Sequence, residues 1–207
     1  MIAAAIAFAV LEPIQVLPRL RLAPGYSLVD QSGDSFTSET VRGSVTLYSF
    51  TSIDCGEPCS ETDETMQLIR DEVARAIDLG DTEFRQVTIV LDDDPTTSEL
   101  SDVATRAGAD GTRWSVVGGD ATTIRNTVGS GFGRFYEAPS DASIRFDSGY
   151  ILVDGAGVIR GDYRYQTLAD DGEKIVRHID ILASELRYAD GSAAVAYEAA
   201  HLFLCYP

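Results

Sequence analysis

A chain of 207 residues with 44% hydrophobic content can build one ordinary domain with extensions, or two very small ones, which excludes wholesale disorder. Its 33 acidic against 16 basic residues leave a formal net charge of -17, and no basic stripe reverses that field, so no nucleic-acid partner is expected. The 3 cysteines are too few for a disulfide framework.

In chain order, the first segment is residues 1–11, MIAAAIAFAVL, an apolar run that Glu12-Pro13 separates from the apolar Ile14 to Leu17. A full membrane span takes roughly 20 apolar residues, so this run is short. No basic residue precedes it, Arg19 and Arg21 follow it, and no small-residue cleavage site is clear. Residues 1–23 are therefore expected to be an uncleaved N-terminal membrane anchor, with a helix packed on a partner as the alternative.

From Pro24 the pattern turns α/β. Tyr26 to Val29 reads as a short strand ahead of the polar turn Asp30-Gln31-Ser32-Gly33-Asp34, and Val45 to Phe50 as a strand of β-branched and aromatic residues. The loop Asp54-Cys55-Gly56-Glu57-Pro58-Cys59 comes next, then a helix over 61–78 with Met66, Ile69, Val73 and Ile77 near helical period. Gln86 to Leu91 is a continuous apolar strand, which predicts burial on both faces. It runs into Asp92-Asp93-Asp94-Pro95, where carboxylates are expected to shape a turn rather than bind a cation. A helix over 97–107, a strand over 114–117 and a helix over 121–128 follow. Gly129 to Gly133 lacks the strand-before-helix setting of a dinucleotide loop and reads as a turn. Tyr150 to Val153 and Val158 to Tyr163 form a hairpin across Asp154-Gly155-Ala156-Gly157, and a helix over 173–186 closes the domain. This order predicts a thioredoxin-like α/β domain over 24–190, a central mixed sheet flanked by helices. Residues 191–207 form an apolar tail, amphipathic through Tyr197, His201 and Tyr206, suited to an interface or a partner, with Cys205 either buried or lipid-bearing.

Cys55 and Cys59 carry the candidate chemistry. A cysteine between a strand and a helix start meets free N–H groups and the positive end of the helix dipole, both of which favour thiolate. Three intervening residues, one more than in the usual thioredoxin motif, relax the loop enough for two thiolates to grip one Cu(I), and still permit a disulfide. Pro58 stiffens the loop, while Glu57 opposes thiolate formation. In exchange chemistry Cys55 would attack and Cys59 resolve. Two inert structural thiols are the remaining alternative. The chain has no Gly-x-Ser-x-Gly elbow and too few histidines for a zinc enzyme. Ser52-Ile53-Asp54-Cys55 only approximates the Thr-x-x-Cys of a peroxiredoxin.

These pieces together resemble the Sco (SenC) family, thioredoxin-fold proteins that assist the copper centre of cytochrome c oxidase. The resemblance runs from about Pro24 to Leu186. It rests on Tyr26-Ser27-Leu28-Val29-Asp30-Gln31-Ser32-Gly33, Arg42-Gly43-Ser44-Val45, the cysteine spacing, Asp94-Pro95, Trp114 to Gly119, and Leu152-Val153-Asp154-Gly155-Ala156-Gly157. It implies Cu(I) handling or thiol–disulfide chemistry at Cys55 and Cys59, and a soluble domain on the extracytoplasmic (periplasmic) face of a membrane. Implied partners are subunits of a cytochrome oxidase or other electron-transport complex; a basic c-type cytochrome would suit the acidic surface.

The departures bear on function. The family's third copper ligand, a histidine before the last hairpin, falls near Phe146, and Gly56 stands where the family has a proline. The chain's histidines, His178 and His201, are expected to pack or face solvent rather than ligate. A metal-free thiol–disulfide oxidoreductase and a non-catalytic accessory subunit of a membrane complex therefore stand beside copper delivery.

Overall fold

The computed structural model describes residues 14–138, 143–164, 171–188 and 192–203. Its framework is β4 (Val45–Thr51), in which all seven residues are buried. β-Branched and aromatic side chains on alternate faces suit a strand covered on both sides. β5 (Phe84–Asp93) runs parallel to β4, and β6 (Trp114–Gly119) parallel to β5. The hairpin β9 (Gly149–Val153) and β10 (Val158–Arg164) adds antiparallel strands on the other side of β4. Short strands β1 (Arg21–Leu22), β2 (Ser27–Asp30) and β3 (Ser35–Thr37) extend the two edges. The eight-stranded order is β1-β10-β9-β4-β5-β6-β2-β3, with β7 (Tyr136–Glu137) and β8 (Arg145–Phe146) paired separately.

Two faces make two cores. On one, α1 (Glu57–Ala76) and α4 (Asp171–Arg187) place Met66, Ile69, Val73, Ile175, Ile179 and Leu182 over Leu47, Leu152 and Trp114. α2 (Thr97–Ala107) covers Val90 and Val116 through Leu100, Val103 and Ala104. On the other face, Tyr48, Phe50 and Ile89 meet Ile124, Val128 and Phe132. Each fully buried large side chain contributes about 1.5–3 kcal/mol. The buried indole N–H of Trp114 donates to Thr88 Oγ1 at 2.9 Å, so its polar edge is not left unsatisfied. This mixed sheet flanked by helices is the thioredoxin-like α/β fold expected from the pattern.

Two elements differ from expectation. α1 begins at Glu57, four residues early, because a proline in the first helical turn forfeits no hydrogen bond. The helix expected over 121–128 is α3 (Ala121–Ile124) passing into a π-helical turn, Arg125–Gly131, closed by Phe132 N–H donating to Thr127 O at 2.8 Å. Gly131 permits close packing: a Cβ there would stand 2.5 Å from the Pro24 ring.

The expected boundary at 23/24 falls between β1 and β2 of one sheet. Val16 and Leu17 are fully buried, and Arg160, itself buried, donates to the carbonyls of Leu17 and Pro18 and pairs with Asp154 and Glu185. α5 (Ser192–Phe203), within the expected tail, is tied to the same place by Arg19–Glu198 and His201–Glu185 contacts. Among the described residues no helix is long and apolar enough to cross a membrane. The apolar run 1–11 and Cys205 lie outside the described residues.

Candidate functional site

The chain leaves β4 at Thr51, crosses Ser52–Gly56 and enters α1, so the central strand delivers the cysteine loop to the sheet's edge of parallel-strand C-termini. Cys55 precedes α1 and Cys59 sits in its first turn, its N–H donating to Gly56 O at 3.1 Å. The two are joined as a disulfide, with Cα atoms 5.7 Å apart. Their exposure is unequal: Cys59 is 1% exposed, whereas Cys55 is half-buried. An incoming nucleophile therefore meets Cys55 Sγ first.

Side chains that the sequence did not mark surround Cys59. The buried Thr51 hydroxyl donates to Cys59 Sγ at 3.0 Å. Arg106, in the last turn of α2, reaches Thr51 Oγ1 at 3.4 Å with Nη2 and Ile53 O at 3.1 Å with Nη1. Its Nε stands 3.5 Å from Oδ2 of the buried Asp63, one helical turn beyond Cys59. Burial pushes the Asp63 carboxyl up, against the opposing pull of Arg106. Only the late position of Arg106 on an otherwise amphipathic helix could have hinted at this from sequence.

The acidic run at the end of β5 is structural. Asp92 accepts from Ile53 N–H at 2.9 Å, pinning the cysteine loop to β5, and burial pushes its carboxyl up. Asp93 Oδ1 accepts from Ala121 N–H at 2.7 Å, and Asp94 takes a positive φ of 50° where the chain turns into α2. Asp54, Gly56 and Glu57 are exposed beside Cys55, so its approach is rimmed by carboxylates.

Phe146, near which the family resemblance places a histidine, lies in β8 and packs against the cluster containing Tyr48 and Phe50. His178 is buried on α4, with Nδ1 2.7 Å from the Tyr163 hydroxyl, and burial lowers its pKa to about 4. His201 faces Glu185. Both hold packing positions. Among the described residues, no three His, Cys, Asp or Glu side chains gather as a metal-binding group. The donor set available to a soft cation is the Cys55–Cys59 pair once reduced: two thiolates, which fit Cu(I) as cargo and suit a two-coordinate ion.

No curated protein sequence matches the chain. Among solved structures it is similar to Arabidopsis thaliana ScoI with copper bound, at 14% identity and a TM-score of 0.65, covering 76% of this chain and 98% of that one. Yeast Sco1 with copper bound gives 15% identity and a TM-score of 0.61, covering 86% and 99%. BsSco, a member of the Sco family of cytochrome c oxidase assembly proteins in which a disulfide switch was identified, gives 17% and 0.66, covering 82% and 97%. Such likenesses establish the shared fold. The SCO1/SenC family profile itself matches residues 16–183, which takes in β1, the cysteine loop and most of α4, and the chain belongs to the SCO1/SenC family.

Proposed function

We propose that this chain is a Sco-type redox protein in which Cys55 and Cys59 cycle between disulfide and dithiol in the assembly of a cytochrome oxidase or a related electron-transport complex. The carrying observation is the disulfide at the β4–α1 junction, with one sulfur accessible and the other buried on a hydroxyl. Reduction by a partner dithiol opens the pair, and the freed thiolates are a soft donor set able to take Cu(I) as cargo. The copper-bound Sco structures and the disulfide switch of BsSco support both halves of this cycle by relationship. Thiol exchange is placed first because Phe146 lies against the core where the family histidine is expected. Disulfide chemistry favours an oxidising compartment, in keeping with an extracytoplasmic domain anchored through the apolar run at residues 1–11.

The test is a Cu(I) titration of the reduced full chain beside a Cys55→Ser/Cys59→Ser double variant, with redox titration of the pair in parallel. Reversible exchange is expected in either case. One equivalent of Cu(I), lost in the variant, adds copper transfer; binding equal in both removes it and leaves exchange alone.

A further inference from the structure

Opening the Cys55–Cys59 disulfide must leave negative charge on a sulfur. The sulfur less able to be solvated is Cys59, which is 1% exposed and packed beside Thr51, itself 1% exposed. A buried anion without a partner is costly, so the groups touching that sulfur decide how readily the bond opens. Those groups form a chain. Thr51 Oγ1 accepts from Arg106 Nη2 at 3.4 Å and donates to Cys59 Sγ at 3.0 Å; its alternative acceptor, Ser52 O, is farther, at 3.5 Å. The three guanidinium nitrogens touch three different walls, Asp63 on α1, the Ile53 carbonyl in the loop and Thr51 on β4. The cation is thus fixed on the sulfur's side of the helix and cannot rotate away without losing all three contacts.

We propose that Arg106, seated on Asp63, is a positioning residue that acts through the Thr51 hydroxyl to stabilise the charge left on Cys59, making Cys59 the leaving sulfur and Cys55 the sulfur that accepts the incoming thiolate. This rests on the thiol-exchange reading above. In the first step a donor dithiol's thiolate bonds to Cys55 Sγ, the Cys55–Cys59 bond breaks, and its electron pair passes to Cys59 Sγ. The donor's second thiolate then attacks its own sulfur in that mixed disulfide and expels Cys55 as thiolate. The donor leaves as a disulfide, two electrons having moved to the protein. The hydroxyl's bond to sulfur strengthens as charge arrives, because hydrogen bonds to ions exceed neutral ones.

The experiment is equilibration of the full chain with dithiothreitol redox buffers, quantified by thiol trapping. Arg106→Gln is expected to lower the equilibrium constant for reduction about three- to tenfold, the scale of a partly screened charge-assisted hydrogen bond. Isosteric Thr51→Val shifts it the same way, and the two together give little beyond the larger single effect. Arg106→Lys restores most of the constant, and Arg85→Gln, which removes an exposed pair with Glu83 far along β5, leaves it unchanged. Mixed disulfide trapped in the first step sits on Cys55. An Arg106→Gln constant within about twofold of wild type overturns the assignment, whatever Thr51→Val does, as does trapping on Cys59 or no recovery with lysine. If the wild-type disulfide never equilibrates, the exchange reading falls and this inference with it.

Discussion

At Cys55 and Cys59 the two sulfurs differ in access far more than in sequence setting. After reduction, iodoacetamide should label Cys55 roughly tenfold faster than Cys59, read by peptide mass spectrometry at short times. Equal rates would mean that Cys59 is not enclosed as the fold places it. His178 gives a second prediction. Its folded pKa of about 4, lowered first by burial and then by Lys174 and Arg177, lies below the ordinary value of 6.5. The unfolded chain therefore binds this proton first, so the contribution of neutral His178 is complete above pH ~6.5 and is lost as pH falls toward ~4. Its size is on the order of 3 kcal/mol. Urea unfolding across that window should show a clear loss of stability in wild type and a shallower one in His178→Gln. An identical slope would place the proton uptake elsewhere.

Elements are held together here by a few buried ionic contacts as well as by apolar packing. Arg160 joins β10 to Leu17 and Pro18 ahead of β1, and to Glu185 on α4. Glu185 also accepts from Leu17 N–H at 2.7 Å. Arg160→Leu takes the arginine from that carboxylate, leaving Leu17 N–H and His201 beside it, and is expected to cost about 3 kcal/mol in urea unfolding, with Arg160→Leu/Glu185→Leu recovering part of the loss. A double variant no better than the single would show that the arginine's packing, not its charge, matters. α2 starts at a reciprocal cap, Thr96 and Glu99 each accepting from the other's backbone N–H. Because α2 carries Arg106 to the disulfide, Thr96→Ala should lower stability by about 1 kcal/mol and also loosen the site. Here the sequence was legible: Thr96-x-x-Glu99 spells the cap, and the apolar period of 97–107 gives the helix its buried face. The start of α1 was not, since Gly56-Glu57-Pro58 reads as loop until the fold places the proline in a turn where its missing N–H has no partner to lose.

Across the whole molecule a formal charge of -17 surrounds a disulfide whose exposed edge is rimmed by Asp54 and Glu57. That field favours cationic reductants. A cationic thiol such as cysteamine should reduce the pair roughly tenfold faster than an anionic thiol of matched pKa at low salt, with the ratio collapsing at high salt. A salt-independent ratio would confine the effect to local sterics. The same arithmetic favours a basic face on the redox partner.

The sequence by itself determined the α/β order, the central buried strands, the cysteine pair at a strand–helix junction and the family, because hydrophobic period, turn chemistry and motif spacing are local properties of the chain. Tertiary structure alone decided that Cys59 is enclosed and Cys55 only half-buried, that Phe146 packs against a core and His178 is buried, and that Arg106 and Asp63, 43 positions apart, meet beside the same sulfur. Those are facts of which faces the sheet brings together. Charge, unlike period, acts across space without regard to distance along the chain, and so the groups that govern the disulfide left no mark in the local pattern.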